Sequence, residues 1–528
     1  MMKYIAGIFC LIAGILSGQV RDDGWRYIVQ PADVVCVGAK GVVEQKTVQR
    51  GVSPEQCSVI LIRYNVRDVP LQTSLNSVIW YKGISSGAGS NPSFSVYAVE
   101  NNWKRSELTL KTLPEKIKRI GEVTVRANVN GPIPFPVSSY FLEHLKDGEV
   151  SLLIEMRSAP GFSQTVSFPE APALTVAKDE TTAYDLQDYL RPVWKGKRIV
   201  NETLSPTSYK GGAAEAACIF VPSRVVSVKN YALDVTYEEG TDYEFDGRTL
   251  RLTKNSAIPF FKYEELYHNN PDAKPDSRET IDGDFLTFAG PGFFMDKQVA
   301  VTYEHNDNWD GPVPQSAEKF LPKTFAKLKA GKPLKLAVFG DSISVGGDAS
   351  GKAAKPPFMP RWADLVAGEL GRFYKSDIDY INPSLGGMRS DWGKNTVDGL
   401  VSFEKPDIVI IGFGMNDGGI PFSTEQFMDN TRAMIKSIRG KNPDAEFILL
   451  MAFQPNPRWR DLNTMTGYLK SFKKEEGAGV AVADMWTMHE YLLKNKTYWD
   501  MTTNHVNHPN DFLHRVYAQV LLAALGVE

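Results

Sequence analysis

Apolar residues follow two rhythms along the chain. From residue 20 to about 178 they come in short bursts, such as SVILIRYNV, SVIWY and VSLLIEM, separated by clusters of Gly, Pro, Ser and Asn. Short alternating runs between turn formers predict an antiparallel β-sandwich. Residues 180 to about 312 continue in the same manner. There YEFDGRTLRL sets two alternating runs around Asp-Gly, a hairpin signal, and GPGFFMDKQVAVTYEH places a strand after a Gly-Pro turn. Within residues 313–333, QSAEKFLPKTFAKLKAGKP reads as a linker with a short amphipathic helix.

From residue 334 to 528 the rhythm changes. LKLAVF, IDYIN, DIVIIGF, EFILLMAF and VAVADM are continuous apolar runs, each followed by a longer helical pattern. RWADLVAGELGRF puts Trp362, Leu365, Val366, Leu370 and Phe373 on one helical face, and STEQFMDNTRAMIKSIRG opens with a capping box, Ser423 with Gln426. NDFLHRVYAQVLLAAL closes the chain as a helix. Continuously apolar strands alternating with helices predict a parallel sheet covered on both faces, with functional groups beyond the C-terminal strand ends. The expected fold class is therefore α/β: a three-layer α/β/α domain preceded by two β-sandwich domains.

Composition adds bounds. The 528 residues exceed what one core organises, and 43% hydrophobic with 23% charged residues is an ordinary globular balance. A net charge of -3 gives no support for nucleic-acid binding. The first residues, MMKYIAGIFCLIAGILSGQV, set one Lys before an apolar run and small residues after it. Residues 1–18 thus read as a bacterial signal peptide, which predicts a secreted or periplasmic protein. No later stretch is long and apolar enough for a transmembrane segment. Cys36 and Cys57 are candidates for a disulfide, left open by the sequence, and Cys218 in AACIFVP reads as a buried apolar residue. There is no CxxC pair, phosphate-binding loop or dinucleotide fingerprint, so neither a metal nor a cofactor is expected. His505, His508 and His514 do not have the company of carboxylates or cysteines that a zinc site needs.

Four fragments carry the candidate chemistry. AVFGDSISVGG places Ser342 just past a strand, NPSLGGMRS follows IDYIN, GMND follows DIVIIGF, and NHPND precedes the last helix. In this order they resemble the conserved blocks of the SGNH (GDSL) hydrolase superfamily: Gly340-Asp341-Ser342, then Gly387, then Gly414-Met415-Asn416-Asp417, then His508. The resemblance covers roughly residues 333–528 and implies a flavodoxin-like fold and ester hydrolysis by a serine nucleophile. It makes Ser342 the nucleophile and His508 its general base, since a serine hydroxyl is weak until a base takes its proton. It also assigns the oxyanion hole to the Ser342 amide, the Gly387 amide and the Asn416 side chain, glycine allowing close backbone approach. Asp341 is expected to be structural.

One position departs from the family. Its members carry Asp three residues before the histidine, and here that position is His505. Three explanations stay open: a Ser-His dyad oriented by a backbone carbonyl, Asp500 reaching in from the preceding loop, or Asp484 at a strand end. The dyad is favoured, with Asp500 second. Trp392, just after the Gly387 loop, and His505 are candidate substrate contacts; Trp362 and Trp459 read as core.

Residues 20–178 resemble the DNRLRE-type sandwich grouped with carbohydrate-binding module family 96, through ILIRYNVRDVP, FSVYAVENNWKRSELTLKTLP and PALTVAK. Trp103 and Glu107 match that pattern, and Leu110 stands where a second Trp is usual. The resemblance implies glycan binding, the alternative being a spacer with Trp103 in its core. Together these readings predict a secreted SGNH esterase that removes O-acetyl groups from an acetylated polysaccharide or oligosaccharide. The alternatives are a lipase or thioesterase acting on acyl lipids, and a glycan-binding surface protein with an inactive hydrolase domain.

Overall fold

The computed structural model describes residues 184–527 except 274–275, 354 and 420–422, and before them the strand segments and short stretches between residues 20 and 178. The predicted signal peptide and Cys57 lie outside the described residues.

The strands between residues 20 and 178 form antiparallel sheets, as their alternating pattern predicts. One sheet has five strands and a second has six, the latter centred on Val59–Asn65 and Glu149–Arg157 with Leu61 opposite Leu153. Trp103 sits in the core beside this sheet, with its Nε1 donating to Ser151 Oγ at 2.9 Å. Arg63 covers one ring face at 4.1 Å from the centroid. The ring is therefore a packing residue and is not presented to a glycan, the spacer alternative for this position.

The block from residue 184 to 312 builds its own antiparallel sheet, ordered Arg198–Leu204, Val299–His305, Pro222–Asn230, Thr236–Tyr237. The Asp-Gly hairpin forms as predicted, with Tyr243 opposite Leu252 and Asp246 opposite Thr249. This block packs directly against the C-terminal domain. Leu204, Cys218, Val301, Leu334, Phe447 and Leu521 belong to one continuous apolar core that runs through both. Lys496 Nζ meets Glu202 Oε1 at 2.7 Å across the junction, both side chains fully buried. The predicted linker is likewise part of the core. Its helix Pro322–Lys329 buries Phe325 and Leu328, and the Lys323 and Thr324 amides donate to Glu446. Periodicity marks elements and cannot show which apolar faces share a core.

The C-terminal domain has five parallel strands: β1 (Leu334–Gly340), β2 (Ile378–Ile381), β3 (Ile408–Gly412), β4 (Glu446–Met451) and β5 (Val480–Asp484). Their order is β2-β1-β3-β4-β5, the flavodoxin-like order. Helices α1 (Ser342–Val345), α2 (Trp362–Tyr374), α3 (Ser390–Leu400), α4 (Thr424–Lys441), α5 (Asn463–Glu475), α6 (Met485–Leu492) and α7 (Asp511–Ala524) complete the domain. The Ser423–Gln426 capping box opens α4 as predicted. On α2, Trp362, Leu365, Val366 and Leu370 are buried, while Phe373 in the last turn is exposed at the surface. Gly340 pairs with Gly412, so β1 and β3 end level and their following loops emerge side by side.

The strand Lys116–Thr124 of the N-terminal region lies beside edge strand β2. Arg119 pairs there with Glu404 at 2.8 Å and Asp379 at 3.8 Å, so a charged contact covers the edge. Among the described residues no helix is long and apolar enough to cross a membrane.

Candidate active site

The site begins where β1 stops. A Cβ at Gly340 would collide with Ser344 Oγ and the Gly412 carbonyl, so only glycine lets the chain turn this close to β3. Asp341 then caps α1, accepting from the Ile343 amide at 3.0 Å. Burial pushes its carboxyl up to about 7. Its bonds hold the turn and leave the histidine to others, in line with the structural role expected of it. Ser342 is the first residue of α1, which ends after one turn at Gly346 with φ +82°.

Ser342 Oγ lies 2.9 Å from His508 Nε2. The other ring nitrogen, Nδ1, lies 3.2 Å from Asp348 Oδ2. A carboxylate on Nδ1 requires the proton there, which leaves Nε2 free to accept from the serine hydroxyl. Asp348 also accepts from Thr503 Oγ1 at 3.1 Å. Burial works against both charged forms. The attraction and hydrogen bond between Asp348 and His508 outweigh it, so the histidine stands above its ordinary pKa and the carboxyl below its own. The three side chains thus form a serine–histidine–aspartate relay able to take the proton from Ser342 Oγ.

The loops around this relay are tied to one another. Asn504 Oδ1 accepts the amides of Val506, Asn507 and His508, which sets the histidine loop. His514, on α7, bonds the Gly347 carbonyl at 3.2 Å, and Gly347 packs so close that a Cβ would come within 3.1 Å of the His508 ring. On the other side, a Cβ on Gly386 would lie 3.6 Å from Ser342 Cβ, and Gly387 follows with φ +74°. Asn416 Nδ2 donates to the Met388 carbonyl at 2.9 Å, and Asp417 accepts from the Ser390 amide at 3.0 Å. Ser342, the Gly386–Gly387 turn, Asn416 and His508 are thereby brought to one edge of the sheet.

The other predicted residues are placed elsewhere. Asp500 is fully buried and accepts from the Ser205 amide at 2.6 Å and from Thr497, so its carboxylate is spent on the junction with the strand-rich block. Asp484 caps α6 and pairs with Lys473 at 2.9 Å. Neither orients His508, and the favoured dyad is corrected too, because Asp348 occupies Nδ1. His505 is no substrate contact. Its ring is buried among Tyr267, Trp499 and Phe294, with centroids 4.7, 5.5 and 5.8 Å away, and burial lowers its pKa to about 3. Trp392 packs on Phe339 at 5.4 Å and Phe413 at 6.3 Å and is half-buried. Trp459, expected in the core, is half-buried under Arg460, whose guanidinium stacks on it at 3.6 Å and donates to the Met415 carbonyl beside Asn416.

Asp348 is the residue that the sequence reading missed. No local signal singles it out: GlyGlyAsp after a short helix turns back over the nucleophile only in the folded chain. Residues 338–516 match the GDSL-like Lipase/Acylhydrolase family. The C-terminal part of the chain is an SGNH hydrolase domain. No curated protein matches the chain. Among solved structures, the SGNH domain is similar to a two-domain esterase active on acetylated mannans, with 21% identity over 40% of this chain and 54% of that one and a TM-score of 0.33. The chain thus spans about half the length of that esterase. It is also similar to an acetylxylan esterase from Geobacillus stearothermophilus (23% identity, 38% of this chain, 97% of that one, TM-score 0.32). A third is a putative GDSL-like lipase from Parabacteroides merdae (16%, 37% and 97%, TM-score 0.32).

Proposed function

We propose that this protein is an exported serine esterase that removes O-acetyl groups from a polysaccharide, with Ser342 as nucleophile, His508 as general base and Asp348 as the acid that orients it. The observation that carries the reading is the relay itself, Ser342 Oγ at 2.9 Å from His508 Nε2 and Asp348 on Nδ1. In the reaction, Ser342 Oγ attacks the ester carbonyl carbon and His508 takes its proton. The Ser342 and Gly387 amides and Asn416 hold the resulting oxyanion. His508 then returns the proton to the departing sugar oxygen, and water repeats the sequence on the acyl-enzyme to release acetate.

Two features support a small acyl group on a sugar. Gly347 packs tightly against the Ser342 carbonyl and the His508 ring, which suits a short acyl chain. Among the described residues, none of the large exposed apolar side chains belongs to the loops carrying Ser342, Gly387, Asn416 or His508, whereas a lipid substrate calls for an apolar approach. Arg389, Asp391 and Arg460 instead line these loops with polar groups suited to hydroxyls. The test is acetate release from acetylated xylan, mannan and pectin by wild type and Ser342→Ala. Release that vanishes in the variant supports the reading. Turnover of long-chain acyl esters with no acetate from any glycan would replace it with a lipase.

A further inference from the structure

A cavity of about 270 Å3 lies where the strand-rich block meets the loop that follows the nucleophile. Tyr231, Tyr237, Pro259 and Asp296 line it from the block, and Lys355 and Pro356 from the loop. Tyr231 Oη accepts from the Asp511 amide at 3.2 Å, and the Asp511 carboxylate accepts from the Ser350 amide at 2.8 Å. Asp511 is three residues beyond His508, and Ser350 two beyond Asp348. The network that closes one wall of the cavity is thus anchored on the two loops that supply the base and its acid.

The lining has two kinds of surface. Tyrosine and proline rings offer flat apolar faces of the kind that pack on the C–H face of a pyranose. Asp296 and Lys355 offer a carboxylate and an ammonium to the cavity. Lys355 is held in place by lying across Gly292, where a Cβ would come within 3.0 Å of Nζ. An acyl chain in this cavity would strip water from both charges without return, whereas sugar hydroxyls would replace that water.

We propose that this cavity is a sugar subsite that holds one pyranose ring of the chain whose ester group lies at Ser342. The proposal rests on the polysaccharide reading above. It makes the strand-rich block part of substrate selection and predicts a preference for oligomers over acetylated monosaccharides.

The test uses the full chain with Ala232→Trp, which fills the cavity from its half-buried rim, and with the pair Asp296→Ala and Lys355→Ala. Turnover of acetylated oligosaccharides and of 4-nitrophenyl acetate is measured for each. Binding of deacetylated xylo- and manno-oligosaccharides to Ser342→Ala, with and without Ala232→Trp, is measured by calorimetry. The expected result is a loss of about 10-fold or more in kcat/KM for oligosaccharides, mainly through KM, with 4-nitrophenyl acetate unchanged. Equal losses on both substrates, or no loss on oligosaccharides, would overturn the subsite. If 4-nitrophenyl acetate is cleaved but no glycan releases acetate, the polysaccharide reading fails separately. The subsite is then decided by calorimetry: binding abolished by Ala232→Trp upholds it, and no binding sinks it.

Discussion

Asp348 sits at φ +65°, a backbone region that side chains other than Asn and Asp rarely occupy. Thr503, His508 and the His514–Gly347 bond hold it there. Asn keeps that backbone and removes the charge, so Asp348→Asn isolates the electrostatic role. It is expected to lower kcat by about 10³–10⁴, as loss of the acid does in other serine hydrolases. The pH profile gives the sign. His508 works when neutral, and Asp348 raises its pKa against the opposing effect of burial. Removing the carboxylate therefore moves the acidic limb of kcat/KM to lower pH, while the residual rate falls. Adding His505→Asp to Asp348→Asn restores the family's sequence pattern, yet no recovery is expected, because position 505 faces the Tyr267–Trp499–Phe294 cage. Recovery of activity would show that the loop can turn position 505 toward Nδ1. Asp500→Asn should retain kcat in the fraction that folds, and lose stability through its bonds to Ser205 and Thr497.

Among the elements, the loops after β1, β2 and β3 act together. Level strand ends put them side by side, and the Asn416–Met388 and Asp417–Ser390 bonds lock the second loop to the third. One Nδ2 hydrogen of Asn416 goes to Met388, which leaves the other for the oxyanion of the proposed reaction. Asn416→Ala is expected to lower kcat by about 10²–10³ with little change in KM, since the bond it supplies matters in the transition state. A matching rise in KM would assign Asn416 to ground-state binding instead. At this scale most of the architecture was legible: each apolar run after residue 334 is a strand or buried helix face, and the Ser423 cap lies where its motif placed it. Phe373 departs from its helical face and is exposed in the last turn of α2.

For the whole molecule, the block before residue 312 and the SGNH domain fold as one body around a shared core. The buried Lys496–Glu202 pair spans them. Removing one partner leaves a charge without compensation, so Lys496→Met should cost about 3–5 kcal/mol by urea unfolding. A cost near zero would mean that Glu202 simply takes a proton. Three buried histidines add a pH dependence. Burial lowers His489 and His505 to about 3 and His514 to about 4. In the unfolded chain they titrate near 6.5. As pH falls below that value the unfolded state binds protons that the native state refuses, and stability is lost. His508, Asp341 and Asp511, all raised in the native state, work in the opposite direction and offset part of this. The urea midpoint is therefore expected to be lower at pH 5 than at pH 7, and the gap should narrow in His489→Gln.

Fold class, strand order of appearance and the candidate residues Ser342, Gly387, Asn416 and His508 were read from the sequence alone. Each depends on information local to the chain: the period of apolar residues, a cap, or a short block at a strand end. The partner of His508 was decided only in three dimensions. Asp348, Asp484 and Asp500 are all carboxylates near the ends of elements, and sequence distance ranked the wrong ones. What separates them is which loop turns back onto Nδ1 and which carboxylates are already spent, Asp500 on Ser205 and Asp484 on its own helix. The same holds for the core that the strand-rich block shares with the C-terminal domain. A face is apolar in the sequence, but what covers it is a property of packing across hundreds of residues, which no local pattern encodes.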